Sequence, residues 1–474
     1  MNNTKISSSS GIYLFGRLIP ALMGFLSIPI FTRTLGTEGY GTFSLLMGTI
    51  SLIIVLSTGW LESTAVRFVG RPNIQDEQNY TKTYLYLFLG TILFSTLIAL
   101  LGFMLFHGSL SEVTRTYLWS AMLGFIGVAL FRPAVNYYRT LEIPKKYTFT
   151  MVAYSVSRLG LAILLLSTIR ATSDMIFYSY FIMGVLLAFL PIKKMIEHAQ
   201  HAPFKLKMVK EMVTYGLPYI PLLTSAWVFS MFNRFALDIE MGRESVGLYA
   251  AAYNISDQSI GFLYMAIMMA IFPRLVKVYE AGSIAETEGL LTKGLSLYAI
   301  IIIPAISGFA MLGGELLQLL TSSDFLAAST IIPLLAVNTG IVGFNQYLSK
   351  PFELDKNTRT LMGIFVFGSL LNIIIVFPMI HILGLMGAVF SNTISLISIG
   401  ILLFIRRGNS ISIQIPWVIF GKVFIGVIIM ISCLFLSDQF IPHGAGWIFL
   451  KMAIGIIFYA CMILMMGLKR VLLI

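Results

Sequence analysis

The sequence predicts an all-α protein that crosses a membrane about fourteen times. Of its 474 residues, 57% are hydrophobic and only 11% are charged, whereas soluble domains carry roughly 25% charged residues. Its apolar stretches are about twenty residues long, the length a helix needs to cross the hydrocarbon core, and not the alternating ten-residue strands of a membrane barrel. Since backbone groups inside a bilayer must pair with one another, we expect these stretches to be helices.

The predicted spans follow one another with short connections, and no loop is long enough to hold a soluble domain. They lie at about 11–34, 41–63, 83–107, 116–137, 147–169, 175–192, 212–236, 246–271, 294–316, 326–349, 361–380, 384–404, 416–436 and 446–467. Basic residues concentrate in every second loop, which by the positive-inside rule places both termini in the cytoplasm. The net charge of +11 is therefore assigned to membrane orientation, and no nucleic acid partner is expected.

Two motifs occur twice in the chain, in the same order. The stretch 35–43 is echoed by 241–249, so that Gly36, Glu38 and Gly41 return as Gly242, Glu244 and Gly247. Further on, Glu142 and Glu353 are each flanked by basic residues in the stretches 139–145 and 350–356. The glycines permit a tight turn, and a carboxylate at the start of the following helix is favoured by the helix dipole. We interpret these residues as turn and gate positions of a duplicated chain.

The repeat predicts two lobes of six helices each. We place the first at 1–205, the second at 206–410 and two additional helices at 411–474. Because six is an even number, both lobes enter the membrane from the same side and are related by an axis along the membrane normal. Pro20 and Pro29 in the first span, and Pro218 and Pro221 in the seventh, are expected to kink those helices.

The sequence contains no pattern typical of an enzyme or a metal site. We find no nucleophile with a base, no paired catalytic carboxylates in a loop, no metal-ligand spacing and no phosphate-binding glycine loop. Both cysteines, Cys433 and Cys461, lie in apolar stretches, so no disulfide is inferred. The expected function is therefore not catalysis, and no catalytic residue, metal or bound cofactor is predicted.

Arginines inside the apolar stretches are the candidates for ligand binding. Arg17, Arg132 and Arg158 all belong to the first half of the chain, and Arg33 and Arg234 lie near span ends. A charge in mid-membrane costs on the order of 3 kcal/mol, so it is retained only where it faces protein or water. One interpretation is a site for an anionic head group such as a pyrophosphate, whose oxygens match the guanidinium fork. The other is internal pairing with acidic residues or helix carbonyls.

Two acidic residues are the possible partners of these arginines. Glu62 ends the second span, and Asp257 follows Asn254 and Ser256 in the eighth. Either could bind H⁺ or Na⁺ for coupling to an ion gradient, or balance the charge of the arginines. The sequence leaves both interpretations open.

Several stretches resemble a known family. These are 28–36 with 38–41, 60–68, 248–253 and 384–388. They are similar to the Wzx-type polysaccharide flippases, which transport O-antigen and other lipid-linked oligosaccharides in lipopolysaccharide and polysaccharide biosynthesis. This family belongs to the multidrug/oligosaccharidyl-lipid/polysaccharide exporter superfamily. The span count and the predicted two-lobe repeat extend the resemblance over the whole chain.

The resemblance implies a flippase of the bacterial inner membrane that moves undecaprenyl-pyrophosphate-linked oligosaccharide to the outer leaflet. It implies alternating access of two lobes around a cavity, coupling to an H⁺ or Na⁺ gradient, and functional association with a polysaccharide polymerase and a chain-length regulator. Arg17 is the residue whose position in the first span resembles an arginine of the family.

Three other functions compete with the flippase. A multidrug or cation exporter of the same superfamily would need an acidic cavity. A membrane polysaccharide polymerase or ligase would carry a long outer loop. A peptidoglycan lipid precursor flippase would differ mainly in its substrate.

Overall fold

A computed structural model describes residues 3–69, 74–106, 111–406, 411–441 and 446–468. Across these ranges the regular structure is helical, without a strand, so the predicted all-α membrane fold is confirmed. Within them, twelve helices are long and apolar enough to cross a membrane. The chain is therefore a multi-pass membrane protein.

Contacts divide the chain into two compact units, Met1–Phe232 and Asn233–Ile474. We name them the N-terminal and the C-terminal unit. The helices of the N-terminal unit are α1 (Asn3–Ile54), α2 (Trp60–Phe68), α3 (Ile74–Phe106), α4 (Glu112–Thr140), α5 (Pro144–Thr168), α6 (Ser173–Ala199), α7 (Leu206–Gly216) and α8 (Ile220–Trp227). A π-helical segment, Val55–Gly59, joins α1 to α2, and another, Val228–Phe232, follows α8.

The C-terminal unit continues with nine helices in the described ranges. They are α9 (Asn233–Met241), α10 (Arg243–Ser256), α11 (Phe262–Glu280), α12 (Ile284–Leu320), α13 (Ile332–Leu354), α14 (Thr358–Leu383), α15 (Leu385–Ile405), α16 (Trp417–Phe440) and α17 (Ile448–Met465). The π-helical segment Asp257–Gly261 joins α10 to α11. Such segments are rare and occur often at functional sites.

Local geometry explains why twelve long helices stand where fourteen spans are predicted. The first two predicted spans form one helical run, Phe15–Phe68, which is broken only by the non-helical backbone of Gly36. The seventh predicted span is divided among short helices, because α7 ends at Gly216 and Pro218 lies in a 3₁₀ turn before α8. By contrast, α1 keeps helical dihedral angles through Pro20 and Pro29. The count of fourteen and the lobe boundaries remain predictions.

Small residues bring helices close together in the N-terminal unit. A Cβ atom on Gly127 of α4 would collide with the backbone of Tyr180 and Phe181 in α6, and one on Gly184 would collide with Gly127. Contacts between small residues let transmembrane helices approach at backbone distance. This contact fixes α6 against α4 and therefore positions Tyr180.

The last two helices pack against α12 in the C-terminal unit. Val423, Met430 and Leu434 of α16 and Tyr459 of α17 form an apolar cluster with Ile300 of α12. The Tyr459 hydroxyl also donates a 2.8 Å hydrogen bond to the Ile300 carbonyl. The helices predicted as an addition to the lobes are thus integrated into this unit.

Candidate functional site

Arg158 lies on α5 among aromatic side chains. Its guanidinium carbon is 4.2 Å from the ring centre of Tyr180 and 5.5 Å from that of Tyr154. Tyr154, one helical turn earlier, stacks on Phe131 of α4 with ring centres 3.9 Å apart. Cation–π contacts of this kind hold a guanidinium without neutralising its charge. No ion pair of Arg158 with a carboxylate occurs among the described residues, so its positive charge is available to an anion.

Arg132 is arranged differently, because it pairs with Glu62. Arg132 Nε lies 3.2 Å from Glu62 Oε1, and the two side chains are 52% and 26% exposed. The Asn136 amide also donates to the Glu62 carbonyl. Internal pairing, one of the two interpretations of the sequence, therefore applies to Arg132. For Arg158 the other interpretation, a site for an anionic head group, stays a prediction.

Arg17 and Arg33 are both exposed side chains of α1. Beside Arg17, Gly16 contacts Thr148 of α5 so closely that a Cβ atom would lie 2.7 Å from the Thr148 hydroxyl. Thr148 in turn donates a 2.8 Å hydrogen bond to the Ile12 carbonyl. These contacts hold the segment that carries Arg17 against the helix that carries Arg158.

Arg234 and Asp257 belong to a polar cluster within the C-terminal unit. Arg234 is only 3% exposed. Its Nη2 donates to Asn254 Oδ1 at 3.1 Å, and its guanidinium carbon lies 5.2 Å from the Tyr253 ring centre. Asp257, at the start of the π-helical segment, interacts electrostatically with Arg234. An interaction of an arginine with this carboxylate is one of the two arrangements that the sequence left open.

The two glycine motifs share one backbone conformation. Gly36 has φ 67° and ψ −176°, and Gly242 has φ 84° and ψ 174°. Each is followed by a new helical segment, with exposed Glu38 or Glu244 in its first turn. Gly41 and Gly247 are buried. The positive φ explains why glycine stands at the break in both copies.

The arginines before these turns are not equivalent. Arg33 lies three residues before Gly36 and is exposed, whereas Arg234 lies eight residues before Gly242 and is buried. Their different spacing from the glycine therefore places the two arginines on different helix faces.

Glu142 and Glu353 also occupy different positions. Glu142 has φ 53° and lies between two helices, whereas Glu353 is in the last turn of α13, with its carboxylate 2.7 Å from Lys350 Nζ. The residue that matches Glu142 in conformation is Lys356, with φ 56°. Both residues cap a helix by hydrogen bonds to its last turn. The residue of the second loop that is structurally equivalent to Glu142 therefore lies three residues after Glu353, the residue that the sequence motif aligns with it.

A buried ion cluster in the C-terminal unit was not anticipated from the sequence. Lys451 of α17 is fully buried, and its Nζ lies 2.6 Å from Glu315 Oε1 and 2.6 Å from Asp438 Oδ1. The one sequence feature that pointed to this cluster is the position of Lys451 near the start of the last apolar stretch. The cluster ties α16 and α17 to α12.

Comparison with known proteins agrees with this fold. The chain is 22% identical to the "Putative O-antigen transporter" of Shigella dysenteriae over 78% of this chain and 92% of that protein. It is 21% identical to the "Probable flippase AglR" of Haloferax volcanii over 93% of this chain and 91% of that protein. Among solved structures it resembles "Lipid II flippase MurJ, inward closed conformation", with a TM-score of 0.78, 17% identity, and 98% of this chain and 99% of that chain covered.

The family assignment rests on more than half of the chain. Residues 7–279 match the family model described as "Polysaccharide biosynthesis protein". This range contains both glycine motifs and the arginines discussed above. The resemblance to the polysaccharide flippases is thereby confirmed, and the chain belongs to the polysaccharide biosynthesis protein family.

Proposed function

We propose that this protein is a flippase that transfers lipid-linked oligosaccharide between the leaflets of a bacterial inner membrane, with undecaprenyl pyrophosphate as the lipid carrier. The family and the names of the relatives support the reaction class. In this proposal the sugar crosses through an aqueous cavity while the polyprenyl chain stays in the lipid. The protein makes and breaks no covalent bond, so it is a transporter and not an enzyme.

The observation that carries the proposal is the environment of Arg158. Its guanidinium is held by the rings of Tyr180 and Tyr154 and forms no ion pair with a carboxylate of the described chain. Two parallel N–H donors of an arginine fit two phosphate oxygens, and such charge-assisted bonds are strong. The aromatic side chains also reduce contact with water, which strengthens the attraction for an anion. We assign Arg158 to the pyrophosphate, with Arg17 as the second cation on the neighbouring helix.

Transport would follow from alternating access of the two predicted lobes, 1–205 and 206–410. The glycine turns at Gly36 and Gly242 would act as equivalent flexible points. Asp257 and Glu62 are assigned to coupling with an H⁺ or Na⁺ gradient or to charge balance in the empty cavity. Arg33, Arg132 and Arg234 have supporting electrostatic roles. A polysaccharide polymerase and a chain-length regulator would act on the product at the outer leaflet.

An exporter of organic cations is the main competing function. Such a protein needs acids in its cavity that no cation balances, but Glu62 pairs with Arg132 and Asp257 interacts electrostatically with Arg234. The guanidinium of Arg158, which has no carboxylate partner among the residues that the structure describes, favours an anionic substrate instead. These charges support the flippase.

The proposal is tested by leaflet accessibility in proteoliposomes. Purified protein is reconstituted with a polyprenyl-pyrophosphate-linked oligosaccharide, and a sugar-modifying enzyme added outside reports the accessible fraction over time. We expect crossing that depends on the protein and that is lost in Arg158→Gln and Arg17→Glu. Arg243→Gln, which removes an exposed arginine at the start of α10, is the matched control and should transport normally. Absence of crossing, together with ion-driven efflux of organic cations, would overturn the proposal in favour of the exporter.

A further inference from the structure

A basic groove lies at one end of the N-terminal unit. It has a volume of about 1000 Å³, and its walls come from the end of α2, the start of α3 and helix α7. The basic side chains that line it are Arg67, Lys205, Lys207 and Lys210. The acidic residues of the lining are Asp76 and Glu211, so the groove has a net positive charge.

The basic side chains of the groove are not neutralised by carboxylates of the described chain. The Arg67 guanidinium carbon lies 4.3 Å from the ring centre of Tyr215, which fixes its direction and leaves its charge. Lys207 and Lys210 lie three residues apart on the exposed face of α7, opposite the buried Met208 and Met212. None of the four basic residues forms an ion pair with any other described residue. The Glu211 carboxylate already accepts a hydrogen bond from the Tyr80 hydroxyl.

The surroundings of the groove are apolar. Phe204 and Leu206 flank Lys205, and they are 50% and 75% exposed. Phe204 packs edge to face against Tyr86 of α3, with ring centres 5.6 Å apart, and Tyr86 itself is 54% exposed. Exposed apolar side chains that alternate with lysines are typical of a segment at the level where hydrocarbon meets head groups. Phe204 and Leu206 therefore give the basic groove an apolar border.

We propose that this groove binds the phosphate head group of an anionic membrane phospholipid. The four basic side chains contact the phosphate, and Phe204 and Leu206 contact its acyl chains. Basic clusters on an amphipathic helix next to a membrane span attract anionic lipids in this way. The site is separate from Arg158 and does not depend on the flippase assignment.

Lipid retention measured by native mass spectrometry tests this proposal. The full-length protein in detergent is titrated with phosphatidylglycerol, with phosphatidylcholine and with polyprenyl pyrophosphate. We expect phosphatidylglycerol to bind more tightly than phosphatidylcholine. Lys207→Gln together with Lys210→Gln should weaken phosphatidylglycerol binding by about 25-fold, at roughly fivefold for each lysine. Arg67→Gln should weaken it separately, and raised ionic strength should reduce binding of the wild type.

The matched control removes two exposed lysines elsewhere in the N-terminal unit. Lys145→Gln together with Lys146→Gln changes the same net charge at the start of α5, and it should leave phosphatidylglycerol binding unchanged. If this control lost as much phosphatidylglycerol binding, the effect would depend on the total charge of the protein and not on the groove, and the proposed site would be overturned. Equal retention of phosphatidylglycerol and phosphatidylcholine, or preference of the groove for polyprenyl pyrophosphate, would also overturn it. Because Lys207 and Lys210 are exposed, their substitution tests binding without loss of folding.

Discussion

The Lys451 amine lies 2.6 Å from a carboxylate oxygen of Glu315, and the lysine side chain is completely buried. Asp438 approaches the same amine at 2.6 Å. We expect Lys451→Met to lower the free energy of unfolding by about 3 kcal/mol or more, because it leaves two acidic groups facing each other without their cation. Thermal unfolding of the purified protein measures this. Lys422→Met, at an amine that within the described ranges donates to the Met466 carbonyl alone, should lower the melting temperature much less.

Replacement of the whole cluster provides a second check. The triple variant Lys451→Met, Glu315→Leu, Asp438→Leu removes all three charges together, and buried ionic groups are often replaced by apolar ones without loss. Its melting temperature should return toward that of the wild type. A triple variant as unstable as Lys451→Met would show that steric packing, and not charge, holds α16 and α17 to α12.

The positive φ of Gly36 and Gly242 predicts a backbone penalty for any other residue. Nothing lies within 4 Å of a Cβ atom built at either glycine, so Gly36→Ala and Gly242→Ala change only backbone strain. Each should destabilise the protein by about 1 kcal/mol. Gly90→Ala is the control, since Gly90 is an exposed residue inside α3 with open space around it, and alanine is favoured in a helix. Equal melting temperatures for all three variants would contradict the turn assignment.

The close approach of α4 and α6 connects packing to the arginine site. Gly127→Ala places a methyl group against the Tyr180 carbonyl, so α6 must shift and Tyr180 must move relative to Arg158. We expect a loss of about 1–3 kcal/mol in stability, with reduced transport in the folded fraction. Gly160→Ala, on α5 in open space, should behave like the wild type in both the unfolding and the proteoliposome measurements. Normal transport by folded Gly127→Ala would show that the position of Tyr180 relative to Arg158 is not needed for transport.

The electrostatic interaction of Asp257 with Arg234 makes Asp257 the residue at which to test coupling to an ion gradient. If Asp257 takes up the coupling ion, Asp257→Asn removes the stimulation by an imposed H⁺ or Na⁺ gradient and leaves the transport seen without a gradient. Proteoliposomes assayed with and without each gradient measure this difference. Glu240→Gln removes an exposed carboxylate of α9 and should keep the stimulation. Stimulation that survives Asp257→Asn would assign Asp257 to charge balance with Arg234.

Local patterns in the sequence predicted the fold well. Apolar stretches of membrane-spanning length identified the helices, and the glycine spacing identified the turns at Gly36 and Gly242. These features depend on residues that are close in the chain. The break in the seventh span also has a local cause, because it lies at Pro218, one of the prolines expected to kink that helix. The apolar composition of the stretch did not show that the span divides into several short helices.

The candidate site was harder to predict from the sequence than the fold, because its contacts join residues that are far apart in the chain. Tyr154 lies one turn before Arg158 and could be anticipated, but Tyr180 reaches it from another helix. Glu315 is 136 residues from Lys451, so no local pattern connects them. The sequence motif made Glu142 equivalent to Glu353, whereas the backbone conformation makes Glu142 equivalent to Lys356. The two differ because a helix cap is defined by its hydrogen bonds and not by residue type.

The assignment of Arg158 to the pyrophosphate is tested by ligand affinity. Binding of polyprenyl pyrophosphate and of uncharged polyprenol is measured on the purified wild type, Arg158→Lys, Arg158→Gln and the control Arg243→Gln. We expect Arg158→Gln to weaken pyrophosphate binding by about 10- to 100-fold, the contribution of a charge-assisted hydrogen bond. We expect an intermediate affinity for Arg158→Lys and unchanged polyprenol binding in all variants. Equal pyrophosphate affinity in the wild type and Arg158→Gln would contradict the assignment.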